Sequence, residues 1–167
     1  GISNGIDLVE LRKTVWGKSR EKATSFSGHA GFSLEQFKSQ TKLEVQADFG
    51  LEVNPDALLI SFIGRIVEQK GISLLLQPPR GEQQPLLELL LARNQSIQFF
   101  LGGPVTSGDR NAEKLRSLAR VLSETYPNRF HADFDFIEHA KTLRLTAASD
   151  LFLMPSRYEP GGISQLE

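Results

Sequence analysis

The chain has 167 residues, 40% of them hydrophobic, which is enough for one ordinary domain with a core of its own. Its 19 basic and 20 acidic residues give a net charge of -1, which argues against a nucleic-acid partner or a polybasic membrane surface. The balance favours a small molecule or a neutral polymer as the partner. Without cysteine the chain has no disulfides, cysteine zinc sites or thiol nucleophiles.

The sequence lacks the patterns of membrane-spanning and secreted proteins. Its longest apolar runs, ALLISFIG and DLFLMP, have the length of strands and fall far short of the roughly 20 residues that a membrane helix needs. No signal peptide heads the chain, so we expect neither membrane association nor secretion. Because the sequence opens GISNGID without a methionine and stops where a helix is expected, we interpret it as part of a longer protein.

The first fifty residues predict a connecting segment that ends in a helix. Residues 1–32 are polar and rich in turn-forming residues. Ser33 with Gln36 three positions on is typical of a capped helix start, and the helical pattern continues to Gly50. The positions at helical spacing are Leu34, Phe37, Thr41 and Val45.

The rest of the chain alternates apolar runs of strand length with helical patterns. Strands are predicted at 57–63, 97–101, 129–132 and 150–154, helices at 71–76, 85–92, 111–124 and 138–148, and turns or loops at 77–81 and 107–109. Strands and helices at this spacing indicate right-handed crossover connections. The sequence therefore predicts an α/β fold with a parallel, doubly wound sheet.

Three of the predicted strands end in residues that suit an anionic ligand. In open parallel sheets ligands bind beyond the carboxyl ends of the strands. The first strand is followed by Gly64, Arg65 and Lys70, the second ends at a glycine turn that begins with Gly102, and the fourth leads into YEPGGISQLE. An arginine fork, a lysine point charge and the exposed amides of a helix start together form a suitable receptor for a diphosphate.

Each of these features also has a purely structural interpretation. Arg65 and Lys70 could be solvated surface cations, as most such residues are. The two glycines of YEPGG could serve only to make a turn compact. Glu159 could interact with a helix dipole, and Glu167 could be an ordinary exposed residue of that helix.

The histidines and the nearby acids do not predict a metal site. His29, His131 and His139 lack metal-ligand spacing with one another or with acids. Asp133 and Asp135 alternate with phenylalanines in HADFDFIEH, which favours a strand edge and loop over a pair of catalytic carboxylates. We expect neither a metal nor a cofactor.

Four stretches together resemble one known family. They are GISNGID, LLISFIGRIVEQKGISLLL, FFLGG and AASDLFLMPSRYEPGGISQLE. They are similar to the carboxyl-terminal nucleotide-binding domain of bacterial and plant glycogen and starch synthases, which are retaining glucosyltransferases built from two facing Rossmann-like domains, the GT-B architecture. The resemblance spans nearly the whole chain except residues 18–32 and an insert at 77–84. It implies a connecting segment with a leading helix in residues 1–50 and a Rossmann-like domain, truncated at its carboxyl end, in residues 51–167.

The resemblance also implies roles for individual residues. Arg65 and Lys70 would neutralise the diphosphate of a sugar nucleotide, and Glu159 would contact hydroxyls of the donor glucose. The amides around Gly161, Gly162 and Ile163 would meet the sugar and the distal phosphate. The implied donor-binding residues are Gly64, Arg65, Lys70, Gly102, Glu159, Gly161, Gly162, Ile163 and Glu167, and the implied catalytic residues are Arg65, Lys70 and Glu159.

Two positions depart from the pattern of many such synthases. They have a cysteine where this chain has Gly161 and an aromatic residue where it has Glu167. Glu167 instead completes a pair of glutamates, with Glu159, that is found in the broader group of retaining GT-B transferases and in archaeal glycogen synthases. There the second glutamate holds the ribose hydroxyls, so the resemblance leaves the donor open between ADP-glucose and UDP-glucose.

The function implied by the resemblance is glucan synthesis by a longer parent protein in the cytosol or a plastid. Its substrates would be a nucleotide sugar and an α-1,4-glucan acceptor, and its partner would be the family's amino-terminal domain, which this sequence does not contain. We therefore expect the chain alone to be inactive and to bind nucleotide weakly at best. The alternatives are another retaining GT-B transferase, acting on sucrose, a lipid or a small glycoside, and a nonenzymatic binding module.

Overall fold

The computed structural model describes residues 34–158, in which helices and strands alternate as the sequence predicts. In chain order these are α1 (Leu34–Asp48), β1 (Leu58–Ile63), a 3-10 turn (Glu68–Lys70), α2 (Ser73–Leu76), α3 (Leu86–Arg93), β2 (Ile97–Gly102), α4 (Arg110–Thr125), β3 (Phe130–Asp133), α5 (His139–Ala148) and β4 (Leu151–Phe152). The boundaries differ from the predicted ones by one or two residues, and the fourth strand, predicted at 150–154, is shortened at both ends to Leu151 and Phe152. Ser33, the predicted helix cap, lies outside the described residues.

The strands form one parallel sheet in the order β3-β2-β1-β4. β1 and β2 pair along their whole length, from Leu58 opposite Ile97 to Ile63 opposite Gly102. The chain adds β2 and β3 on one side of β1 and then returns to place β4 on the other side. The predicted doubly wound α/β fold is confirmed, and the direction of winding reverses between β1 and β4.

Helices cover both faces of the sheet, so the core has two parts. On one face α2, α3 and α4 contribute the buried residues Leu75, Leu87, Leu91, Leu115 and Leu122. On the other face α1 and α5 contribute Val45, Leu145 and Ala148. Phe99 and Phe100 of β2 point to opposite faces, and both are fully buried. Burial on both faces explains why the strands read as unbroken apolar runs in the sequence.

An ion pair with a buried lysine ties the α1 helix to the sheet. The Lys42 ammonium lies 2.8 Å from an Asp150 carboxylate oxygen, and its side chain is only 8% exposed. The same carboxylate accepts a hydrogen bond of 2.8 Å from the backbone N–H of Leu59 in β1. Asp150 therefore joins α1, β1 and the start of β4.

The division into residues 1–50 and 51–167 stays a prediction.

The helices among the described residues are too short or too polar to span a lipid bilayer.

Candidate functional site

The reversal of winding between β1 and β4 creates the crevice in which open α/β sheets bind ligands. The loops that follow these two strands touch one another. The backbone N–H of Arg157 donates to the carbonyl of Gln69 at 2.9 Å, and the Gln69 side-chain amide reaches the carbonyl of Tyr158 at 3.5 Å. The structure thus brings the segment that leads to Glu159 against the loop that carries Lys70.

Arg65 and Lys70 both lie in the loop after β1. Arg65 is the second residue after the end of β1, directly after Gly64, and is exposed to solvent. Lys70 is half-buried and ends the 3-10 turn, in which its backbone N–H donates to the carbonyl of Val67 at 2.9 Å. The described geometry therefore places both predicted cations at the carboxyl end of β1, beside the crevice.

Two glycines allow the loops to come this close. Gly71 has a positive φ of 73°, and a Cβ added to it would overlap the carbonyl oxygen of Pro155 after β4. Gly103 has a φ of 129°, and a Cβ there would overlap the carbonyl oxygen of Gly64 after β1. The loop after β1 is therefore in backbone contact with the loops after both β2 and β4.

Gly102 is buried at the end of β2 and has a packing role. A Cβ at this position would overlap side-chain atoms of Ile137 and Phe100, so a larger residue would require these side chains to shift. Its carbonyl accepts a hydrogen bond of 2.9 Å from the backbone N–H of Gly64. The donor-binding roles of Gly64 and Gly102 stay predictions.

The interpretation of residues 107–109 as only a turn missed the cap of α4. One carboxylate oxygen of Asp109 accepts hydrogen bonds from the backbone N–H groups of Asn111 and Ala112, at 2.9 and 3.1 Å. The other accepts from the backbone N–H of Glu68 at 3.0 Å. These hydrogen bonds hold the pKa of Asp109 below its usual value. The bond from Ala112 lowers the pKa most, and the bond from Glu68 has the next largest effect.

Glu68 connects the loops at the crevice through its side chain, which the sequence analysis also missed. One oxygen of its carboxylate accepts a hydrogen bond of 2.9 Å from the Asn111 side-chain amide in α4. The other oxygen forms an ion pair with the guanidinium of Arg157, in the loop after β4. Glu68 is therefore tied both to α4 and to the loop that leads to Glu159.

His131 is held in an aromatic setting on the other face of the sheet. Its ring stacks on Phe100 with centroids 5.5 Å apart and meets the edge of Phe49 at 5.1 Å. Burial lowers the pKa of His131, while the nearby Asp133 opposes and Lys141 adds to the effect. His131 is thus a half-buried histidine packed against two aromatic rings.

Within residues 34–158, no group of three histidines or acids is placed to hold a metal ion.

The remaining predicted site residues, Glu159, Gly161, Gly162, Ile163 and Glu167, lie outside the described residues. Their roles stay predictions.

A parallel sheet that winds to both sides of β1, with helices on both faces, defines a Rossmann-like α/β unit. The catalytic domain of starch synthase IV from Arabidopsis thaliana, solved with ADP and acarbose, has this fold. The superposition covers 99% of this chain and 30% of the starch synthase IV chain, with a TM-score of 0.67 and 24% sequence identity. This likeness confirms the predicted fold class.

Comparison of sequences finds relatives among the glycogen and starch synthases. The chain is 34% identical over 166 residues to glycogen synthase from Rhodopirellula baltica, and 36% identical over 169 residues to the chloroplastic/amyloplastic starch synthase 1 of Arabidopsis thaliana. Each alignment covers 99% of this chain, but only 29% and 22% of the two relatives. No protein-family model matches the chain. The chain is thus a homologue of glycogen and starch synthases that spans less than a third of the length of these two relatives.

Proposed function

We propose that the chain is the nucleotide-sugar-binding part of a glucan synthase. The enzyme transfers glucose from ADP-glucose or UDP-glucose to the non-reducing end of an α-1,4-glucan, with retention of configuration at the anomeric carbon. The observation that carries the proposal is the 34% and 36% identity, over 99% of this chain, to a glycogen synthase and a starch synthase. This homology supports the family, and the choice of donor nucleotide and acceptor is a further part of the proposal.

The loop after β1 supports donor binding at the crevice. Arg65 is exposed at the carboxyl end of β1, and Lys70 lies five residues further in the same loop. A guanidinium fork and an ammonium at this position would stabilise the negative charge that develops on a departing nucleoside diphosphate. Glu159, Gly161, Gly162, Ile163 and Glu167 would complete the donor site with contacts to glucose, phosphate and ribose.

In the proposed reaction the acceptor hydroxyl attacks the anomeric carbon from the face that the nucleoside diphosphate leaves. The new bond to the acceptor oxygen forms as the bond to the diphosphate breaks, and the hydroxyl proton passes to the departing phosphate. No protein nucleophile takes part, so positioning and charge placement supply the rate. The proposal includes neither a metal nor a cofactor.

The acceptor would bind to an amino-terminal domain that faces this one in a longer protein. A cleft between two domains cannot form from one of them, so the 167-residue chain alone would not transfer glucose and would bind nucleotide weakly at best. We place the parent protein in the cytosol or a plastid, by analogy with the bacterial glycogen synthase and the chloroplastic starch synthase.

Glucan elongation by the full-length protein tests the proposal. The protein is incubated with glycogen and either ADP-glucose or UDP-glucose, and the lengthened chains are resolved and digested with an enzyme specific for α-1,4 linkages. One of the two donors should be used, and Arg65→Ala should lower its turnover about 10²- to 10³-fold.

Arg116→Ala is the matched control for the loss of a positive charge. Arg116 is an exposed arginine of α4 that lines a surface depression with Ala132 and Phe134, at the β3 edge of the sheet, which β2 separates from β1. Its replacement should leave turnover unchanged. Failure to extend glycogen from either donor, or equal activities of the Arg65→Ala variant and the wild type, would contradict the proposal.

A further inference from the structure

We propose that Glu68 is a positioning residue, which acts through Arg157 to fix the donor-binding cations relative to the loop after β4. The inference rests on the proposed function, because it assumes that Arg65 and Lys70 bind the diphosphate. Glu68 lies between these two cations in the sequence, and Arg157 precedes Glu159 by two residues. The Glu68–Arg157 pair therefore connects the two segments that the proposed donor site needs together.

Glu68 is anchored first to a rigid part of the fold. Its backbone N–H donates to Asp109 at 3.0 Å, and its carboxylate accepts from the Asn111 amide at 2.9 Å. Asp109 and Asn111 belong to the cap and first turn of α4, a helix that buries Leu115 and Leu122 in the core. The position of Glu68 is thus set by α4 and not by its own loop alone.

Arg157 then ties the loop after β4 to this anchor at two points. Its guanidinium pairs with the second carboxylate oxygen of Glu68, and its backbone N–H donates to the Gln69 carbonyl at 2.9 Å. That carboxylate oxygen is shielded from solvent and accepts no hydrogen bond from the described residues. The ion pair with Arg157 therefore gives this oxygen its polar partner, since an oxygen shielded from water normally has one.

The charge of Glu68 and its positioning role are expected to change the affinity for a diphosphate in opposite directions. A carboxylate in the loop that binds a diphosphate repels the ligand, so a purely electrostatic role predicts that Glu68→Gln tightens binding. If Glu68 instead positions the two loops, Glu68→Gln weakens binding although it removes a negative charge. A nucleoside monophosphate has fewer contacts with the cations and should be affected less.

The test is calorimetric titration of the full-length protein with ADP and AMP, or with UDP and UMP if uridine is the preferred base. We expect Glu68→Gln and Arg157→Gln each to raise the Kd for the diphosphate about tenfold, the effect of losing about 1.4 kcal/mol, and to change the Kd for the monophosphate less than about twofold. Arg157→Lys keeps a positive charge and should restore most of the diphosphate affinity.

A matched control is available in the exposed pair between Arg93 and Glu82. Their side chains are 59% and 31% exposed, nearly the same as the 62% and 31% of Arg157 and Glu68. Arg93→Gln removes an arginine–glutamate pair of the same exposure from a different part of the surface. It should leave both dissociation constants unchanged.

The outcomes separate this inference from the proposed function. If the wild type does not bind the diphosphate, or Arg65→Ala does not weaken it, the proposed function fails and the inference with it. If Arg65→Ala weakens the diphosphate but Glu68→Gln and Arg157→Gln do not, or tighten it, only the inference fails. Equal weakening of diphosphate and monophosphate, with near-UV circular dichroism showing folded protein, would also overturn it, because it would indicate a general structural defect.

Discussion

Gly71 lies against the backbone of Pro155, with no space for a side chain between them. The first residue follows the 3-10 turn after β1, and the second lies in the loop after β4. The two loops of the crevice therefore meet backbone to backbone. A glycine is needed at position 71 for two reasons, its positive φ of 73° and this close approach.

Replacing Gly71 with alanine should destabilise the fold more than replacing Gly50. Gly50 has a similar φ of 66° but has nothing within 4 Å of an added Cβ, so it isolates the conformational cost. We expect Gly50→Ala to lower the free energy of unfolding by about 1 kcal/mol and Gly71→Ala by about 3 kcal/mol, since the loops must also separate. Urea denaturation measures both values. Equal losses would show that the loops are not in tight contact.

Asp150 should contribute strongly to stability because its partner is buried. Removal of the carboxylate in Asp150→Ala leaves the Lys42 ammonium, at 8% exposure, without its ion pair and the Leu59 N–H without its acceptor. We expect a loss of about 3 kcal/mol in the free energy of unfolding.

Glu124→Ala is the control for Asp150→Ala. It breaks the ion pair between Arg120 and Glu124, whose side chains are 84% and 70% exposed, and should cost less than about 0.5 kcal/mol. Similar costs for the two variants would contradict a structural role for the Lys42–Asp150 pair.

The fold could be predicted from the sequence because its signals are local. Strands that are buried on both faces read as apolar runs, and helices show their spacing, so all four strands of the sheet were found. The fourth was predicted too long, at 150–154. Only Leu151 and Phe152 pair with β1, and Pro155 has no N–H with which to continue the ladder.

The contacts within the site could be predicted only in part. The rule that ligands bind beyond strand ends pointed to Arg65 and Lys70. The capping role of Asp109 also had a local signal, because an aspartate just before an amphipathic helix is typical of an N-cap. The pairing of Glu68 with Arg157 had none, since 89 positions separate them and only the order of the strands brings their loops together.

Asp109 should make the stability of the fold sensitive to acid. The pKa of Asp109 is lowered in the folded state, chiefly by the hydrogen bond from Ala112. The ionised carboxylate therefore stabilises the fold at pH values above 3.8, the ordinary pKa of an aspartate. This contribution is lost as the pH falls below 3.8 through the folded-state pKa. Asp109→Ala should cost about 1 kcal/mol at pH 7 and less at pH 3. Urea denaturation at both pH values checks this, and an equal cost at both would show that the charge of Asp109 has no role.

His131 should impose a pH dependence in a different range. Burial lowers the pKa of His131 below 6.5 in the folded state. The negative charge of Asp133 raises this pKa in part, and the positive charge of Lys141 lowers it further. The unfolded chain therefore binds a proton first as the pH falls through 6.5, and the fold loses stability from there down to the folded-state pKa, by at most about 1.4 kcal/mol per pH unit. His131→Phe keeps an aromatic ring beside Phe100 but cannot be protonated. Urea denaturation between pH 8 and pH 5 measures the free energy of unfolding, which should fall less steeply with pH for the variant than for the wild type. Equal slopes for the two proteins would show that His131 is as easily protonated in the fold as in the unfolded chain.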